Sequence, residues 1–128
     1  MESILTSIKK LLNIAEDYEY FDTDIIIHIN STFSTLNQLG VGPAEGFTIK
    51  DKTSVWTDFI PENHKEFESV KTYIYLKVRL VFDPPDKSSV LESINRVINE
   101  TEWRLNVAAE QSSNSETKNF KMVKERRC

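Results

Sequence analysis

The chain has 128 residues, 39% hydrophobic and 28% charged, which suits one globular domain with a core of its own. No apolar stretch approaches the ~20 residues that span a bilayer, the start MESILTSIKKLL lacks the basic-then-apolar order of a secretory leader, and a single cysteine, Cys128, excludes an intrachain disulfide framework. Charge is unevenly spread: residues 111–128 carry five Lys/Arg and two Glu, net +3, so the first 110 residues carry net −7.

The first expected element is a helix over residues 3–16, with Ile4, Ile8, Leu11 and Ala15 in one stripe and Leu5 and Leu12 beside it. The second begins with Asp22 as N-cap and repeats Ile25, Ile29, Thr32, Leu36 and Leu39 at helical spacing. It ends at Gly40, a residue suited to a left-handed cap. Residues 41–64 hold the other two glycines, two of the four prolines, a Trp and two Phe, and they keep no period. They read as a long loop with a short strand at residues 47–49 and a helical turn near residues 54–59. Loops of this length within compact domains usually serve a task. Phe47, Trp56 and Phe59 either pin the loop to its own core or offer contacts to another chain.

The stretch KTYIYLKVRLVFDPPDKSS, residues 71–89, alternates as a half-buried strand does from Tyr73 to Phe82. The same run, extended back through Phe67 and Val70, also makes a helical stripe with Ile74, Val78 and Val81. A strand here lacks partners, because the other extended candidates are too few and too short for a stable sheet. The spacing therefore predicts a helix from about residue 65 to 82, the central and most buried one, halted by Pro84 and Pro85. Ser89 and Glu92 form a capping box for a fourth helix, expected over residues 89–110, with Val90, Ile94, Ile98, Thr101, Leu105 and Ala108 in its stripe.

These elements describe an all-α protein: a small bundle of about four helices, a long loop between the second and third, and a C-terminal extension. The expected core is Ile25, Ile29, Leu36, Val70, Ile74, Val78, Val81, Ile94, Ile98 and Leu105. Trp103 lies off the fourth stripe, on a face with Glu92, Arg96, Asn99 and Asn106. It either lies under the long loop or sits in a subunit contact. Residues 1–110 form the helical domain and residues 111–128 a basic tail of disordered-type composition, expected to be ordered by a partner.

Chemistry-bearing patterns are sparse. His28 and His64 are far apart in sequence, and no Ser/His/Asp order emerges. GVGP at residues 40–43 follows a helix and lacks the Lys-Ser/Thr of a phosphate loop. Asp22 and Asp24 fit helix capping better than metal ligation. No catalytic residue, metal ligand or cofactor is expected.

The succession LNQLGVGPAEGFTI, VWTDFI, VKTYIYLKVRLVFDPP and EWRLNVAAE, over residues 1–110, resembles the head–tail connector (adaptor or head-completion) proteins of long-tailed double-stranded DNA bacteriophages. That resemblance implies a non-enzymatic virion protein of the particle neck, assembled in the host cytoplasm. It implies a self-assembled, dodecameric ring beneath the portal, a tail-side connector or stopper protein below it, and DNA passing through without sequence-specific binding. An acidic body suits such a conduit, since phosphate affinity comes from cationic contacts. Phe47, Trp56, Phe59 and Trp103 are then candidates for subunit or tail contacts. Lys118, Phe120, Lys121, Met122, Val123, Lys124, Arg126 and Arg127 are candidates for portal contact. The alternative is a small all-helical regulatory or interaction protein whose basic tail holds nucleic acid weakly.

Overall fold

Five helices follow one another in a computed structural model that describes residues 2–127 and the side-chain surroundings of residues 2–110. They are α1 (Ile4–Leu11), α2 (Asp22–Gln38), α3 (Trp56–Phe59), α4 (Phe67–Phe82) and α5 (Ser88–Arg127). No strand occurs among the described residues, and the pairing of Ser3 with Val55 is an isolated bridge. The all-α reading holds, and the helical turn expected near residues 54–59 is α3. The strand expected at residues 47–49 is absent. Its place is taken by a side chain of α2, since Asn30 binds both backbone groups of Ile49.

α1 is shorter than its apolar pattern suggests. Ser3 caps it, its hydroxyl accepting from Thr6 N at 3.3 Å. Asn13 ends it with φ of +63°, so Asn13 N reaches Lys10 O at 3.1 Å and Ile14 N reaches Lys9 O at 2.8 Å. That reciprocal pair closes the helix ahead of Ala15 and Glu16. α2 ends the same way. Gly40 has φ of +87°, Gly40 N bonds Asn37 O at 3.0 Å, and Val41 N bonds Leu36 O at 2.9 Å. Buried Val41 and Leu36 supply the apolar contact that accompanies such caps. At its start, α2 departs from expectation: Phe21 is the N-cap, without a side-chain bond, and Asp22 is already helical.

α4 packs against α2, α5 and α1, and α1 also touches α2. All of these helices and the long loop share a single hydrophobic cluster. The most enclosed helix is α1, where every residue from Ile4 to Lys9 is buried, and not α4 as expected. α4 buries Phe67, Val70, Tyr73, Ile74 and Val78 but leaves Val81 64% exposed, so Val81 leaves the expected core. The reason is positional. The last turn of α4 lies beside the start of α2, where Phe82 turns onto Phe21 with ring centroids 5.1 Å apart, and Val81 faces outward. Ile25, Ile29, Leu36, Val70, Ile74, Val78, Ile94, Ile98 and Leu105 are all buried.

The double proline does its expected work. Asp83, at φ −147° and ψ 67°, leaves helical geometry ahead of Pro84. α5 then starts at Ser88, which puts Ser89 inside the helix and not at its cap. No glycine or proline follows Pro85, and α5 continues past Glu110 to Arg127.

Candidate assembly surfaces

The loop aromatics turn inward. Trp56 is 1% exposed; its Nε1 donates to Ser7 Oγ at 2.9 Å, and Ser7 Oγ donates to Ser3 O at 2.7 Å. The Lys71 ammonium lies 5.6 Å from the Trp56 ring centre, within cation–π range. Phe59 is buried against Phe33, with centroids 4.6 Å apart. Half-buried Phe47 completes the trio at 5.1 Å from Phe33 and 5.4 Å from Phe59. Trp56 and Phe59 therefore pin the loop to its own core, one of the two roles the sequence left open, and keep almost no exposed surface for the subunit or tail contact that was the other. Three ring-to-ring contacts and one indole hydrogen bond are what an irregular loop needs to stay fixed without secondary structure.

Trp103 differs. It is 70% exposed on the outer face of α5, so no loop of its own chain covers it. Asn99 and Arg96, also exposed, lie one and two turns before it on the same face. The portal-contact candidates Lys118, Phe120, Lys121, Met122, Val123, Lys124, Arg126 and Arg127 have side chains outside the described residues.

A second outward surface was not foreseen. Between α1 and α2, Tyr18 is 50% and Tyr20 79% exposed. Tyr20 stands edge-on to Phe21 at 4.9 Å, Tyr18 lies 5.9 Å from Phe21, and Phe21 continues the row to Phe82 on α4. Exposed Glu16, Asp17, Glu19 and Asp24 flank these aromatics in the sequence, and no Lys or Arg occurs between Lys10 and Lys50. The available signal was the interval AEDYEYFDTD, three aromatics among five acids, which the helical periodicity of its neighbours overshadowed.

Lys9 holds this surface from behind. Its ammonium, 2% exposed, donates to Tyr18 O at 2.8 Å and Glu16 O at 3.0 Å, and it pairs with Asp22 Oδ1 at 2.8 Å. The Asp22 contact is an ion pair without hydrogen-bond alignment, since that oxygen has no aligned donor. A buried cation with its protons so directed is tolerable, whereas an unpaired one is not. Asp22 thus does electrostatic work in place of the capping expected of it.

Elsewhere among the described residues, the perturbed titratable groups are Tyr73 and Asp51, each in its own surroundings. Burial pushes the Tyr73 phenol well up, and the nearby Glu102 carboxylate reinforces the shift, while Tyr73 Oη lacks an aligned partner. The Thr53 hydroxyl and backbone N–H hold the exposed Asp51 carboxyl below its ordinary value. His64 accepts from Glu66 N at 3.0 Å in an exposed turn, and His28 is half-buried on α2. Among the described residues, no three His, Cys, Asp or Glu side chains gather closely enough to hold a metal ion. No helix among the described residues is long and apolar enough to cross a membrane.

No curated protein and no solved structure matches the chain. A family model described as phage connector protein does match, over residues 4–112, which takes in α1 to α4 and the packed part of α5. The chain belongs to the phage connector protein family.

Proposed function

We propose that this chain is a structural protein of the virion neck that assembles into a ring, joins the portal to the tail, extends the DNA channel and closes the head. The observation that carries the reading is the family match across the packed helical body. Two features support it. The first 110 residues carry net −7, so a channel built from them repels the phosphate backbone and lets DNA slide. A ring of identical chains needs two different faces on each copy, and Trp103 on α5 and the tyrosine row beside α4 are separate exposed aromatic features. Trp and Tyr are, with Arg, the side chains enriched among the residues that carry most interface energy.

The proposal places a single role on the protein, without catalysis or cofactor. Its portal lies on one side of the ring and a tail-side connector or stopper protein on the other. The test is negative-stain microscopy and native mass measurement of the chain, alone and mixed with the portal protein of the same phage. A closed ring capping the portal is the expected result. A mixture that stays as free chains and bare portals removes the reading. Duplex DNA should bind weakly and lose that binding as salt rises, because the body is net acidic.

A further inference from the structure

We propose that the row Tyr18, Tyr20, Phe21 and Phe82 is the receptor for the basic C-terminal segment, residues 111–128, of a second copy of this chain. The inference rests on the ring reading and names the contact that joins one copy to the next. The sequence alone directed this segment to the portal. The geometry points instead to the chain itself.

Complementarity of chemistry is the first argument. Four exposed carboxylates, Glu16, Asp17, Glu19 and Asp24, flank the exposed tyrosines in the sequence, residues 11–49 hold no Lys or Arg, and the Lys9 ammonium behind them is buried. The segment carries net +3 and sets Phe120, Met122 and Val123 among Lys118, Lys121, Lys124, Arg126 and Arg127. Ammonium and guanidinium groups bind over tyrosine faces and beside carboxylates, and Met and Phe pack against ring edges. The receptor's backbone is preorganised by Lys9, which grips the Tyr18 and Glu16 carbonyls, so little ordering cost remains on that side.

Position is the second argument, and it excludes the segment of the same copy. Phe21 and Phe82 place the receptor where α2 begins and α4 ends. Gly40, just past the far end of α2, sits against Ala109, since a Cβ added to Gly40 would lie 2.8 Å from Ala109 Cβ. The 17 residues of α2 separate those poles by about 25 Å. From Ala109, α5 runs on to Arg127 and does not turn back toward its start. A donor at one pole and its receptor at the other describe a heterologous contact, which closes into a ring or propagates as a fibre.

The test uses full-length chains. One variant, Tyr18→Ser with Tyr20→Ser, spoils the receptor; another, Lys121→Glu with Lys124→Glu, spoils the donor. Sedimentation over a concentration series is expected to show self-association of the unmodified chain, weakened about tenfold or more in each variant alone. Mixing the two variants restores one good contact per pair and stops at a one-to-one dimer, a signature that general loss of solubility or fold cannot imitate. Unchanged helical circular dichroism confirms that each variant is folded. Equal masses for the unmodified chain, both variants and their mixture overturn the inference. So does a mixture in which the Lys121→Glu, Lys124→Glu chain alone loses portal binding while copies still associate. Failure of the ring reading is separate: it shows as an uncapped portal with the unmodified chain, whatever the mixed variants do.

Discussion

Both ends of the Asn30 side-chain amide close on one residue, Nδ2 donating to Ile49 O at 2.9 Å and Oδ1 accepting from Ile49 N at 2.8 Å. A helix side chain thus gives a loop residue the two bonds that a neighbouring strand would give. Ile49 is buried, so neither backbone group has water to fall back on. Replacing Asn30 by Leu should cost about 2–3 kcal/mol in urea unfolding, because two buried polar groups lose their partners. Asn30→Asp should cost less, since one acceptor survives.

Lys9 makes the analogous contact for the first loop. Lys9→Met keeps much of the volume but strands the Tyr18 and Glu16 carbonyls and the Asp22 carboxylate. A loss of about 3 kcal/mol is expected, together with faster amide hydrogen exchange confined to residues 13–22.

Tyr73 sets a limit at high pH. Its phenol titrates well above the ordinary value of 10.0, chiefly because it is buried and also because Glu102 stands near. The folded state therefore favours the neutral phenol. Its contribution is complete below about pH 10 and falls away as the pH climbs toward the raised folded value. Tyr73→Phe should flatten the alkaline decline of the melting temperature. At neutral pH it should match or exceed the parent by up to about 1 kcal/mol, because the hydroxyl has no aligned partner to lose.

Two of the glycines separate strain from crowding. Gly46 has φ of +91° and open space where a methyl group would stand, so Gly46→Ala should cost only the left-handed backbone strain, about 1 kcal/mol. Gly42, at φ +89°, would set its new Cβ 2.9 Å from Phe59 Cζ and closer still to Cε1 of the same ring. Gly42→Ala should therefore cost clearly more than Gly46→Ala in the same thermal melts, by about 1–3 kcal/mol.

Trp103→Ser isolates assembly from folding. The side chain is largely in solvent, so thermal stability should change by less than about 0.5 kcal/mol. Capping of the portal should weaken measurably in the same microscopy assay that tests the ring.

Much of this architecture was legible in the pattern of side chains. Helical spacing in α2 and α5, the glycine stop at Gly40 and the proline stop after Asp83 all reflect local rules. What escaped depends on which copy of an apolar residue finds a neighbour. Val81 continues the stripe of Ile74, yet α4 outruns its cover there, while Trp56 sits in a polar loop and goes to the centre. Periodicity reports one element at a time. It is silent about Lys9 reaching nine residues ahead to Tyr18, or Trp56 reaching back to Ser7, and those contacts arrange the candidate surfaces.

The enclosure of α1 also bears on how the protein is made. Its six consecutive buried residues, Ile4 to Lys9, leave the ribosome ahead of their cover, which comes from α2, from Ser54 to Trp56 and last from α4. An eight-residue helix is too short to persist by itself. This segment, whose apolar members are Ile4, Leu5 and Ile8, is only partly covered by α2 until α4 has been synthesised, so its packing is completed late in translation.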